Sequence, residues 1–136
     1  IVPQRELRGH VANRLTAALY REAVHLVAEG VASVADVDRA VSAGPGLRWA
    51  LMGPHLTYHL GGGAGGFRHY ITHLGPAQQA RWAELGSPTL DTATIDALIA
   101  GVEDALAALD ADTLPERRDA ALVGLLQLKQ RLGFGG

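Results

Sequence analysis

Apolar residues in this chain return every three or four positions, and nowhere do β-branched residues alternate with polar ones over a strand's length. This periodicity constrains the fold most, because a period near 3.6 buries one face of a helix whereas a half-buried strand needs a period of two. Val11, Leu15, Ala18, Leu19, Glu22 and Leu26 set the helical spacing, mostly apolar, from about Gly9 to Glu29, with Gly30 at the position of a C-terminal glycine. Ser33-Val34-Ala35-Asp36 is a variant capping box that opens a short helix to about Ala43, and Gly44-Pro45-Gly46 stops it. Leu47 to Leu60 is helical in pieces, broken at Gly53-Pro54. Residues 61–66 form a glycine loop, Phe67 to Leu74 a short helix ended by Gly75, and Pro76 starts another that runs to about Leu85. Asp91 or Thr92 caps a helix holding Ile95, Leu98, Ile99, Val102, Leu106 and Leu109. Thr113-Leu114-Pro115-Glu116 is a second capping box, opening a last helix to about Leu132. The pattern predicts an all-α domain of about six or seven helices.

At 136 residues the chain has the length of one domain. It has no cysteine, which excludes disulfides, thiolate metal sites and thiol nucleophiles. No apolar run reaches 18 residues and no secretory leader opens the chain, so no membrane partner is expected and the cytosol is the expected compartment. A net charge of −2 leaves no basic footprint for nucleic acid. The charge is unevenly distributed. Residues 39–83 carry Arg39, Arg48, Arg68 and Arg81 with no carboxylate, together with four of the six histidines. A basic, acid-free segment suits an anionic ligand.

Three motifs in or beside that segment suggest chemistry and do not complete it. Gly61 to Gly66 matches G-x-G-x-x-G in letters, yet a dinucleotide loop needs a strand before the glycines and Thr57-Tyr58-His59-Leu60 has the character of a helix end. The pairs His55/His59 and His69/His73 stand at i,i+4, one face of a helix, but no carboxylate or cysteine lies nearby to complete a metal shell. Packed or hydrogen-bonded imidazoles are the expected outcome. No serine sits in a nucleophile elbow, so the chain carries no complete catalytic set. Arg48-Trp49 follows a glycine-rich turn, where a guanidinium fork can clamp a carboxylate and an indole can face a cation.

The order of motifs resembles one family. Gly9-His10-Val11-Ala12-Asn13-Arg14-Leu15 is similar to the G-[FH]-[VI]-x-N-R-L opening of the C-terminal domain of 3-hydroxyacyl-CoA dehydrogenases. Glu22-Ala23, Glu29 to Ser33 and Asp36-Val37-Asp38 continue in register. The runs Gly46-Leu47-Arg48-Trp49-Ala50 and Gly62 to His69 resemble the L-carnitine dehydrogenase branch more than the acyl-CoA members, and the L-gulonate 3-dehydrogenases and lambda-crystallin share a similar first run. The resemblance covers about residues 9–85, and the last helices only in general character.

The resemblance implies an all-α, multi-helix C-terminal domain of the 3-hydroxyacyl-CoA dehydrogenase / 6-phosphogluconate dehydrogenase type, with residues 1–136 as one substrate-binding and dimerisation domain. NAD would be bound by an N-terminal Rossmann domain absent from this chain, and Ile1 is expected just past the interdomain connection. The chain alone is then expected to be inactive. Its partners would be a second copy, its own Rossmann domain and a small 3-hydroxy acid. Asn13 matches the family's Asn near the substrate and the catalytic His, which gives it a catalytic role. Arg48 and Trp49 are the substrate-binding candidates. L-carnitine or a similar 3-hydroxy carboxylate is the expected substrate, with 3-hydroxybutyryl-CoA and L-gulonate as alternatives. His10 stands where acyl-CoA members commonly have Phe, and the turn at 44–50 is longer than theirs, which speaks against a CoA thioester. From another class, a non-catalytic helical interaction module is the alternative.

Overall fold

The computed structural model describes residues 8–134, so Ile1 lies outside the described residues. Seven α-helices and one short 3₁₀ turn make up the described chain, with no strand. The helices are α1 (Val11–Ala28), α2 (Val34–Ala43), α3 (Pro45–Leu51), α4 (Pro54–Gly61), α5 (Gly66–Glu84), α6 (Thr92–Ala107) and α7 (Leu114–Arg131), with the 3₁₀ turn at Gly63–Gly65. Helices α1, α2 and α6 pack on one another, and α2 passes the chain to α3, which meets α4, which packs along α5.

Local signals set most of these boundaries. The Ser33 hydroxyl accepts from the Asp36 N–H at 3.1 Å and donates to its carboxylate at 2.7 Å, closing the expected box. Asp91 accepts from the Thr94 N–H at 2.8 Å, and that hydrogen bond holds its carboxyl below the ordinary value. A depressed carboxyl contributes stability at neutral pH that fades as pH falls through its titration. Pro45 and Pro54 each occupy a first turn, where a missing N–H costs nothing. Pro45 therefore opens α3 rather than sitting within a stop.

Two expectations fail for identifiable reasons. Residues 67–85 do not form two helices divided at Gly75-Pro76, because α5 runs unbroken with Pro76 inside it. A proline normally drives its predecessor out of helical geometry through the predecessor's Cβ, and Gly75 has none. Thr113 does not cap α7: its backbone is already helical, and its hydroxyl donates instead to the Asp110 carboxylate at 2.8 Å.

The interior is small. Val24 and Val37 are the buried apolar residues among those described. One polar tie joins distant parts of the chain, where the Glu22 carboxylate on α1 accepts from the Gly86 N–H at 2.8 Å and fastens the α5–α6 connection. Gly101 lets α6 approach α2, since a Cβ there would lie 2.4 Å from Cγ2 of Val34. Gly124, inside α7, has nothing within 4 Å of such a Cβ. Opposite signs are expected on substitution. Gly101→Leu destabilises by about 1–3 kcal/mol through overpacking, and Gly124→Ala stabilises by up to about 1 kcal/mol through helix propensity. Urea midpoints measure both.

Candidate functional site

The basic, acid-free segment folds into α3, α4, α5 and the turn between them, and a groove of about 540 Å³ opens along α3 and α4. Pro45, Arg48, Trp49, Met52, Tyr58 and Gly61 are among the residues that line it. The short helix α3 begins on Pro45 and places Arg48 and Trp49 on adjacent positions one turn later. Both are exposed, Trp49 at 37%, and neither ion pair among the described residues involves Arg48. A guanidinium with no carboxylate partner beside an indole is equipped to take an anion and an adjoining cation.

Aromatic rings back this groove. The Tyr58 ring, which lines it, stacks on Tyr70 of α5 with centroids 4.5 Å apart and planes 7° from parallel. Phe67 stands 6.0 Å from Tyr70, and His55 meets Phe67 edge-on at 6.1 Å. Desolvation, followed by the adjacent Tyr58 phenol, raises the Tyr70 hydroxyl above its ordinary value, so it is neutral at pH 7. The α4–α5 pair thus presents a ring face at a fixed position. Spacing alone does not reveal this stack, because Tyr58 and Tyr70 lie on different helices.

The histidines are engaged in packing and backbone contacts. His59 Nδ1 accepts from the Phe67 N–H at 3.1 Å, satisfying one of the unpaired donors at the start of α5. Gly66, at φ +59°, passes under that ring, and a Cβ there would lie 2.7 Å from His59 Cε1. Glycine is required at this point by both conformation and space. Rather than a loop reaching Gly66, residues 63–65 form the 3₁₀ turn and α5 starts at Gly66. His69 and His73 lie with rings 4.1 Å apart, and His73 Nδ1 is 2.9 Å from the His69 carbonyl oxygen. Among the described residues no three His, Asp or Glu side chains are grouped to hold a metal. Nor do they contain the strand, glycine loop and helix that a dinucleotide needs, as a helix both precedes and follows the glycines.

Asn13 sits apart from the groove. It is on the first turn of α1, exposed, and no hydrogen bond among the described residues involves its amide. Helix α1 packs on α2 and α6, while the groove lies between α3 and α4. The structure therefore brings Arg48 and Trp49 together and leaves Asn13 on a separate part of the surface.

Comparison with protein families matches residues 9–92 to the 3-hydroxyacyl-CoA dehydrogenase, C-terminal domain. Among curated proteins, L-carnitine dehydrogenase of Streptomyces griseus is 46% identical over 132 residues, which is 97% of this chain and 39% of that protein. The enzyme of that name from Streptomyces coelicolor is 44% identical over 133 residues, 98% of this chain and 42% of that protein. A Bacillus cereus L-carnitine dehydrogenase is 42% identical over 131 residues, 96% of this chain and 40% of that protein. The chain spans about two fifths of the length of these relatives, and their likeness extends through its last helices, further than the motifs alone reach. By sequence and by its all-helical architecture, the chain belongs to the 3-hydroxyacyl-CoA dehydrogenase family, as a C-terminal domain of that type.

Proposed function

We propose that this chain is the substrate-side, dimerising domain of a cytosolic NAD-dependent L-3-hydroxyacid dehydrogenase whose substrate is L-carnitine. The observation that carries the reading is the groove itself: one free guanidinium beside an indole and a stacked phenol, in a segment without carboxylates. Carnitine joins a carboxylate to a quaternary ammonium through a C3 alcohol. Arg48 binds the carboxylate in bidentate fashion, and the faces of Trp49 and Tyr58 receive the cation. The likeness to L-carnitine dehydrogenases supports the same assignment. The residues described here do not fit NAD, which is assigned to an N-terminal domain outside this chain.

Within the substrate the Asn13 amide donates to the C3 oxygen, holding the alcohol in place and stabilising charge that develops on it. The protein acts as a homodimer, a reading supported by the surface left open. The chain exposes 10755 Å², against about 6,800 Å² for a compact monomer of its mass. Because α1 packs chiefly on α2 and α6, the groove of one protomer is assigned to the substrate held by Asn13 of the partner subunit.

Trp49→Leu in the full-length enzyme tests the cation assignment. KM for L-carnitine rises roughly tenfold, the worth of a cation–π contact of about 1–2 kcal/mol, while KM for 3-hydroxybutyrate, which has no cation, is unchanged. An equal rise for both substrates would remove Trp49 from the cation site.

A further inference from the structure

The two histidine pairs share the i,i+4 spacing, yet their ring nitrogens are spent differently. On α4, His59 Nδ1 accepts from the Phe67 N–H, so the lone pair that a metal would need is already used. Its neighbour His55 meets Phe67 edge-on, with ring centres 6.1 Å apart. On α5 the arrangement is reversed. His73 Nδ1 lies 2.9 Å from the His69 carbonyl oxygen, and a carbonyl only accepts, so Nδ1 carries the proton. The lone pair of the neutral ring is then on Nε2, across the ring from that hydrogen bond. Metal-ligating histidines adopt this same arrangement, because an N–H given to a backbone carbonyl fixes both tautomer and ring orientation.

His69 and His73 share one face of α5 and both are exposed, with rings centred 4.1 Å apart and planes 32° from parallel. Gly65 leaves room for the first of them, since a Cβ there would lie 2.4 Å from His69 Cβ. Two nitrogens on one zinc ion, each about 2.0–2.1 Å from it, stand no more than about 4.2 Å apart. Ring centres at this separation are compatible with that limit. Chelation needs the ring planes to open further so that the lone pairs converge. The χ2 torsion of an exposed histidine is broad enough to allow it.

We infer that His69 and His73 form a two-imidazole site for a late first-row divalent cation, Cu²⁺ ahead of Zn²⁺, with water completing its shell. Neither histidine lines the groove, so the site is independent of what the groove binds. Residues 39–83 contain no carboxylate and Arg68 adjoins the pair, which disfavours the oxygen-seeking ions Mg²⁺ and Ca²⁺. The same surroundings, with two protein ligands instead of four, make the site open and weaker than a structural zinc centre. Its position on α5 gives the ion a role. The chelate spans the turn that carries Tyr70 and comes just before Pro76, whose missing N–H removes the helical bond to the Thr72 carbonyl. An ion bridging His69 and His73 clamps α5 where its hydrogen-bond ladder is interrupted.

Titration of the full-length protein, free of any affinity tag, with CuCl₂ and ZnCl₂ tests the site. Each variant is read against the native protein, so that ions bound elsewhere cancel. His69→Ala and His73→Ala are each expected to bind one ion per chain at least roughly tenfold more weakly, the lower end of the loss on removing even an outer-shell partner. His55→Ala, in the pair whose lone pair is spent, binds as the native protein does. The Cu²⁺ spin-resonance spectrum of the native protein contains a component from two imidazole nitrogens that His73→Ala lacks. Zn²⁺ also raises the unfolding temperature of the native protein more than that of His73→Ala. Both side chains are exposed, so either alanine leaves the buried residues untouched. Equal binding by the native protein and both α5 variants would overturn the site. So would a loss in His55→Ala as large as theirs, displacement by an equal concentration of Mg²⁺, or a copper spectrum that His73→Ala leaves unchanged.

Discussion

Replacing Asn13 by Ala in the full-length enzyme lowers kcat roughly 100-fold or more, with KM for L-carnitine changed by much less. The expectation follows from position and chemistry together. Asn13 sits on the first turn of α1, exposed, with no hydrogen bond to its amide among the described residues. A side chain placed so makes no contribution to holding the helix, and asparagine is a mediocre residue for a helix interior. Its donor is therefore available to the substrate oxygen, where a single fixed donor is worth about 100- to 1,000-fold in kcat. Steady-state kinetics read the split directly. If KM alone rose, Asn13 would bind substrate and transition state equally and have no catalytic part. Thermal unfolding should be nearly unchanged, which separates this effect from a structural one.

Arg48→Ala has the second large effect, and on the other constant. KM for carnitine rises roughly 10- to 150-fold, the range for a hydrogen bond to a charged group of about 1.5–3 kcal/mol, and kcat changes little. Arg48 lacks a carboxylate partner within residues 39–83, since that segment contains none. Its charge is thus available to the ligand. Arg48→Lys keeps the charge and loses the planar fork, so it recovers only part of the affinity. A lysine variant as good as the native enzyme would show that the site needs a positive charge without bidentate geometry. Raising ionic strength weakens binding to native enzyme and to Arg48→Lys, and has less influence on Arg48→Ala.

Much of this fold is legible in the sequence because its punctuation is local. Ser33 with Asp36, Asp91 with Thr94, and the prolines at 45 and 54 each act within one turn. Where the reading fails, a neighbour outside the simple pattern decides. Gly75 lets Pro76 stay inside α5, and Asp110 draws the Thr113 hydroxyl away from capping α7. The site divides in the same way. Arg48 and Trp49 both line the groove, although neighbours on a helix point about 100° apart, so adjacency in sequence marks the pair without bringing it to one site. The Tyr58–Tyr70 stack depends on α4 lying along α5, a tertiary contact that no spacing encodes. The glycine run shows the reverse case, a phosphate-loop pattern in which Gly66 instead fits the chain beneath the His59 ring.

The surface bears on how the domain works as well as how it is built. Val24 and Val37 alone cannot supply a core for a domain of this length. In the proposed homodimer, contacts that cover this open surface stabilise the folded chain by mass action.

Formation of NADH by the full-length protein, measured across L-carnitine, L-gulonate and L-3-hydroxybutyryl-CoA, decides which substrate the groove serves. The expected kcat/KM is highest for L-carnitine by roughly an order of magnitude or more and falls toward the level of the others in Arg48→Ala. Faster turnover of the CoA ester, or of gulonate, with no loss in Arg48→Ala would contradict it.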